Sequence, residues 1–408
     1  MNPFHLCKPL LLIVSCGAVA SAQAPRDWPQ WRGPGRDGAA AFSAPAAWPA
    51  TLTKRWEVSV GAGHSSPVIA GDRIVIHARQ NDREITRAIE LKSGKELWRN
   101  EYAAPYTVNP AASAHGPGPK STPVVANGRV FTFGISGILS AHDLASGKLL
   151  WRTDAPPAPP EFGTALSPIV DTGVVIVHLG AKDQGALTAF DAASGKPRWR
   201  WSGDGPAYAS PVIAQIGDTR QLVTQSENAV IGVDVAKGTL LWRIPFKTAF
   251  DQNSITPVVT KDLVIYSGLD SGTTAVRIVR KGTTWAAEPV WKNEGVAMYM
   301  SSPVIVGNTL YGLSHRNRGQ FFAIDIATGK TLWTTPGREG ENASIIAAGQ
   351  TLLLSTTNAE LIVAKANAAK FEELKRYRTA ESAVWAHPAV TGNLIVVKDV
   401  DKLICWSV

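Results

Sequence analysis

The sequence predicts an all-β fold, an eight-bladed β-propeller of four-stranded antiparallel blades, and three observations carry that expectation. A hairpin closed by tryptophan recurs five times, a Ser/Thr-Pro strand opening recurs around the whole chain, and an orphan strand near the N-terminus complements three strands at the C-terminus. Self-similarity at ~20–50 residues marks solenoids, propellers or arrays.

The hairpin is clearest at Ala323–Trp333. An apolar run reads as a strand, Asp325 can accept backbone N–H groups in the turn, Gly329 supplies a positive φ, and Lys330 to Trp333 restart a strand. The same unit stands at Ala88–Trp98, Ala141–Trp151, Ala189–Trp199 and, with glycine for alanine, Gly232–Trp242. The Ser/Thr-Pro openings have their second residue at positions 67, 123, 168, 211, 257 and 303, with degenerate copies at 345 and 388, in steps of 42–56 residues. A tight turn and a second β run follow each opening, so the unit is strand, turn, strand, loop, strand, Asp…Gly turn, strand.

In chain order, residues 1–22 read as a signal peptide. Lys8 precedes the apolar run Leu10–Val14, and Ala20-Ser21-Ala22 forms a small-x-small cleavage site. A rival reading takes Ile13-Val14-Ser15-Cys16 as a lipobox, acylated at Cys16 and membrane-tethered. Cys7 and Cys16 fall in the signal, so Cys405 stands alone in the mature chain and is expected as a small buried hydrophobe. Residues 23–51, rich in Pro and Ala and carrying Trp28, Trp31 and Trp48, read as an ordered arm across the propeller surface. The propeller occupies residues 52–408, where Leu52–Val58 joins His387–Val390, Asn393–Asp399 and Leu403–Val408 to complete the eighth blade and remove the open edge. The first blade carries a longer loop, Ala104–Lys120. The fifth replaces its Asp…Gly turn with Arg277–Thr284 and closes with Trp291, and the seventh is expected to close with Tyr377.

Composition agrees: 36 Gly, 27 Pro and 14 Trp with only 18% charged residues suit many short strands and turns. Basic residues outnumber acidic ones 41 to 33, for a formal net charge of +8, but they are dispersed, which argues against nucleic acid. No catalytic triad signature, phosphate loop or nucleotide fingerprint is present.

The A-x-D-x-x-[ST]-G-K-x-x-W units resemble the tryptophan-docking motif of the pyrroloquinoline-quinone (PQQ) repeat β-propellers, a likeness covering roughly residues 52–408. The resemblance implies that Trp56, Trp98, Trp151, Trp199, Trp242, Trp291 and Trp333 pack between neighbouring blades. That family includes quinoprotein alcohol and glucose dehydrogenases, the propeller lipoprotein of the outer-membrane barrel-assembly machine, and secreted propellers without assigned activity. The stretch Asp27-Trp28-Pro29-Gln30-Trp31-Arg32-Gly33 is similar to the opening of the last group. Against the dehydrogenases, the chain lacks their adjacent Cys pair, a Ca²⁺-ligand spacing and a Cys-x-x-Cys-His haem motif.

Propeller geometry brings the loops before the Ser/Thr-Pro strands to one mouth of the channel. The candidate ligand-binding residues there are His64, His115, Lys120, Tyr208, Asn253, Tyr299, Glu341, Asn342, Trp385 and His387. These groups satisfy each other and the backbone at the axis, form a small-ligand pocket, or make a protein or peptide docking surface. In a pocket, Trp385 or Tyr299 would stack on a planar ligand and Lys120 or His115 would meet a carboxylate. His64, His115 and His387 are also weighed as a zinc site, but no metal is assigned. The expectation is a secreted or envelope-associated binding and assembly scaffold, more an adaptor than an enzyme, with an envelope protein or small planar ligand as partner and a monomeric ring. The alternative is a PQQ-dependent oxidoreductase using PQQ with Ca²⁺.

Overall fold

A computed structural model describes residue 1 and residues 27–408. The expected signal peptide, with Cys16, therefore lies almost wholly outside the described residues. Eight four-stranded antiparallel sheets follow one another around a ring, at residues 68–103, 124–152, 169–201, 212–245, 258–293, 304–334, 343–378, and 389–407 with 53–59. They are blades one to eight. Within each of the first seven the strands pair in chain order, innermost first. The eighth is closed by the strand Thr53–Ser59, which pairs antiparallel with Lys402–Ser407, Thr53 opposite Ser407 and Ser59 opposite Lys402.

The repeat residues each have a physical task. Asp143, Asp191 and Asp325 accept the backbone N–H of Ser146, Ser194 and Thr328 and the hydroxyl of the same residue, which fixes the turn. Gly147 has a φ of +72°, and a Cβ there would lie 2.4 Å from the Trp98 ring. The glycine is thus needed twice, for its turn and as the flat landing for the previous blade's indole. Trp98 donates its indole N–H to Leu144 O beside that landing at 2.9 Å. Trp56, Trp151, Trp199 and Trp291 repeat the arrangement on Gly94, Gly195, Gly238 and Gly329, bonding Leu91 O, Ala192 O, Val235 O and Ile326 O. Trp333 donates to Asn367 O and packs on Phe371 in a turn without glycine.

Two positions depart from this scheme. Trp242 lies between blades four and five but turns back over its own sheet, donating to Gln221 Oε1 at 2.7 Å. Blade five offers no Asp…Gly turn to receive it, because its last two strands, Thr273–Lys281 and Thr284–Asn293, run on as a long hairpin. Tyr377 does not close blade seven: it pairs with Leu361, two residues beyond the bulge-side docking position, and its hydroxyl donates to Pro49 O of the arm. Cys405 is buried and free, opposite Trp56 at the site where five other blades carry alanine.

Ser and Thr hydroxyls of the strand openings form a partial belt around the axis. Ser66 N donates to Thr122 Oγ1, Thr122 N to Ser167 Oγ, Ser167 N to Ser210 Oγ, Thr256 N to Ser302 Oγ, and His387 N to Ser66 Oγ. Each bond ties one blade to the next, and the following proline has no N–H left to satisfy.

The arm differs most from expectation. Only its later part crosses a face; residues 28–42 enter the central channel. Trp28 exchanges both backbone bonds with Ile69, Pro29 O accepts Val125 N, Ala347 exchanges bonds with Gly38 and Ala40, and Ser43 N reaches Gly392 O. Arg36 donates to Ser167 O and Pro168 O, Arg32 to Pro303 O, and Trp31 to Thr256 Oγ1. The fifteen residues 28–42, with Ser43, thus bond the inner strands or strand openings of seven blades along the axis. The inner strands present their free edges to the channel, so a Pro- and Gly-rich segment finds partners there for backbone that could not form a regular strand.

Candidate functional site

The channel is blind. The arm enters from the turn side, where Asp27 accepts Gly71 N, and Trp31 reaches up to Thr256 at the opposite mouth. There its ring forms the floor of a cavity of about 360 Å³. One wall is built by the long loop of the first blade. A short 3₁₀ turn, Pro110–His115, is capped by Asn109, whose Oδ1 accepts Ala111 N, and ends at Gly116 in the left-handed region. Pro119 O then accepts both His64 N and Ser65 N. A Cβ on Gly118 would collide with Gly63, so glycine permits this close approach. The loop thereby sets His115 edge-on to Trp385 at 4.7 Å and to His64 at 5.4 Å between ring centroids.

Opposite, Tyr299 donates its hydroxyl to Gln252 Oε1, and Tyr208 OH accepts Phe162 N. Lys120 is the one Lys, Arg, Asp or Glu lining the cavity; its Nζ donates to Phe162 O at 2.7 Å. Burial pulls its pKa down to about 8. Burial first, then the neighbouring His115, Lys398 and Lys120, lower His64 to about 3, and burial with Lys120 lowers His115 as well. Both imidazoles are therefore neutral at pH 7.

Of the ten candidates, His64, His115, Lys120, Tyr208, Tyr299 and Trp385 come together in this cavity. The other four do not. Asn253 is buried in its loop, donating to Ser226 O and Phe246 O and accepting from Thr248 Oγ1. Asn342 is buried near Ser301, and Glu341 is exposed beside it, outside the lining. His387 is buried, stacked on Trp28 and edge-on to Trp31 beneath the floor, so it cannot join His64 and His115 around a metal. Among the described residues no group of three or more His, Cys, Asp or Glu is gathered to hold a metal ion. Trp31, Phe162, Phe250 and Met300 also line the cavity and were not singled out from sequence. The loops before the openings are longer than the one or two residues that spacing alone can place.

The lining does not fit a calcium-held quinone. Ca²⁺ takes six to eight oxygens, usually with carboxylates. Here no Asp or Glu lines the cavity, and Lys120 stands where a cation would have to approach.

Buried histidines make the fold sensitive to acid. Burial depresses His142, His178 and His387 to about 4 each, with His77 and Arg152 adding to the effect at His142. The unfolded chain takes up these protons near pH 6.5 while the folded chain refuses them. Their contribution is therefore complete above pH 6.5 and declines as pH falls toward 4. At pH 5 each is expected to remove on the order of 1–2 kcal/mol. Urea midpoints at pH 7 and pH 5 test this; an equal or higher midpoint at pH 5 contradicts it.

The model of the family of outer membrane protein assembly factor BamB matches residues 81–335. BamB of Yersinia pestis is 24% identical over 302 residues, 69% of this chain and 70% of its own. BamB of Burkholderia pseudomallei is 23% identical over 360 residues, 84% of each. Among solved structures, BamB from Moraxella catarrhalis superposes with a TM-score of 0.64 at 14% identity, covering 88% of this chain and 98% of that one. A quinohemoprotein alcohol dehydrogenase from Comamonas testosteroni gives 0.66 at 14% identity, covering 95% and 81%. Likenesses at such identity establish the fold and not the chemistry.

Proposed function

Because the chain belongs to the PQQ-repeat β-propeller family of outer membrane protein assembly factor BamB, we propose that it is an exported, envelope-associated scaffold that seats a partner protein at its open channel mouth. The observation that carries this reading is Phe250. It is 73% exposed at the cavity rim, with a φ of +58° that a bulky residue rarely adopts. The loop holding it is pinned from below by Asn253 and from the side by Asp251, which accepts both Lys182 and Lys247 at 2.7 Å. Met300, also exposed, stands across the same rim. A rigid loop that holds an aromatic side chain out in water beside an apolar cavity has the form of an interface anchor.

The assembly role named for the BamB relatives is carried to this chain as part of the proposal. Export follows from the signal-like segment; a diacyl mass increment on the mature protein would identify anchoring through Cys16. A strain lacking the protein is expected to lose folded outer-membrane β-barrel proteins. Restoring the wild type should recover them, while a folded Phe250→Ser/Met300→Ser variant should not. An unchanged outer-membrane profile without the protein would defeat the assembly reading.

A further inference from the structure

We infer that the mouth cavity recognises a carboxylate carried beside an apolar side chain on a partner's polypeptide segment, with Lys120 as the cation that meets it. The inference names the chemistry of the partner and rests on the scaffold reading above.

Three features carry it. Lys120 has three donors, and among the described residues its one hydrogen bond is to Phe162 O and no carboxylate pairs with it. A half-buried ammonium in an apolar cavity gains most from an anion that arrives with the ligand, since attraction strengthens where water is excluded. Further positive charge lies beneath the same wall. Lys398 is fully buried, and its Nζ donates to Gly63 O, Asp399 O and Val400 O, next in the chain to His64. Finally, His64 lines the same cavity as Lys120, and its buried Nε2 has no hydrogen-bond partner among the described residues, so a second polar atom is left for a ligand. Trp31, Trp385, Tyr299 and Ala112 supply the apolar surface, and about 360 Å³ admits a side chain or two.

Peptide occupancy is favoured over a free acid because Phe250 and Met300, at the rim of the lining, keep apolar surface in water that a flanking peptide side chain can cover. The test uses end-capped Phe-Asp-Leu and Phe-Asn-Leu peptides, with 3-phenylpropionate and its amide, titrated against the intact protein by ligand-observed NMR. The expected result is at least about fivefold tighter binding of the Asp peptide than of the Asn peptide, a factor typical of one charge-assisted bond. Lys120→Met should abolish that preference and Lys120→Arg should retain it. The wild-type comparison needs no variant, so a misfolded substitution leaves the test intact. Equal binding of the two peptides, no binding of any probe, or a preference that survives Lys120→Met would overturn the inference. Binding of phenylpropionate without the Asp peptide would overturn peptide occupancy in favour of a free acid. These failures leave the scaffold reading standing if the Phe250/Met300 variant still fails to restore outer-membrane proteins. The scaffold reading itself fails if that variant restores them.

Discussion

A chain beginning at residue 45 is expected to unfold at markedly lower denaturant than one beginning at residue 23, by about 4–8 kcal/mol in stability. The arm acts as an axle. Trp28 is 1% exposed and forms an antiparallel bridge with Ile69 on the inner edge of the first blade, while Phe42 is buried near the eighth. Full burial of aromatic side chains of that size stabilises by roughly 1.5–3 kcal/mol each. The two arginines matter at least as much. Arg32 and Arg36 are buried, have no carboxylate partner among the described residues, and donate instead to carbonyls at the openings of blades six and three. Burial lowers the pKa of both, to about 10 and about 9, yet both stay charged at neutral pH. Without the arm, those carbonyls and the free edges of the inner strands face an empty axis. Water can satisfy some of them, which is why the loss is expected to be partial. Loss of Trp31 also removes the cavity floor, so the truncated ring should lose peptide binding at the mouth even where it remains folded. An unchanged urea midpoint would show that the plug is an ornament on a ring that is stable alone.

The arm also shows where sequence reading stops. Repetition made the blades legible, and the complementarity of residues 53–59 with the C-terminal strands made the closure legible, since both depend on patterns local to one strand or turn. The arm has no period, and its partners are scattered over seven blades from Ile69 to Gly392. Its three tryptophans signalled burial without saying where. The serine and threonine of each opening could be read as a marker, but not as members of a belt, because each hydroxyl's partner lies a whole blade away. At the mouth, six of ten candidate residues converge. The other four stand at equivalent repeat positions whose local turns face them inward or outward, as Asn253 and His387 illustrate. Repeat position fixes the end of the channel on which a residue lies, and loop conformation fixes which way its side chain points.

Gly232→Ala gives the sharpest test of how the indoles hold the ring. It restores the alanine found in the four other copies of the hairpin, so a rule based on repeat consensus predicts stabilisation. The structure predicts the reverse. In three of the other copies the indole leans out onto a glycine of the next blade, and in the fourth Trp333 reaches Asn367 O and Phe371 there; the indole then leaves room above the opposing alanine, as Trp98 does opposite Ala88. Trp242 has no such landing and lies over its own sheet, where a Cβ on Gly232 would fall 2.1 Å from the ring. The ring cannot retreat easily: it is 4% exposed, bonded to Gln221, and packed in a cluster with Val223, Val264 and Val276. Overpacking of this kind costs about 1–3 kcal/mol. Trp242→Leu alone should cost about 2–4 kcal/mol through the cavity it leaves. In the double variant the alanine methyl enters space the indole vacated, so the combined loss should fall short of the sum by about 1 kcal/mol or more. Urea midpoints of the four proteins measure this coupling. Strict additivity, or a more stable Gly232→Ala protein, would mean that Trp242 can swing outward toward blade five. The departure of that blade from the repeat would then have no bearing on where its neighbour's tryptophan rests.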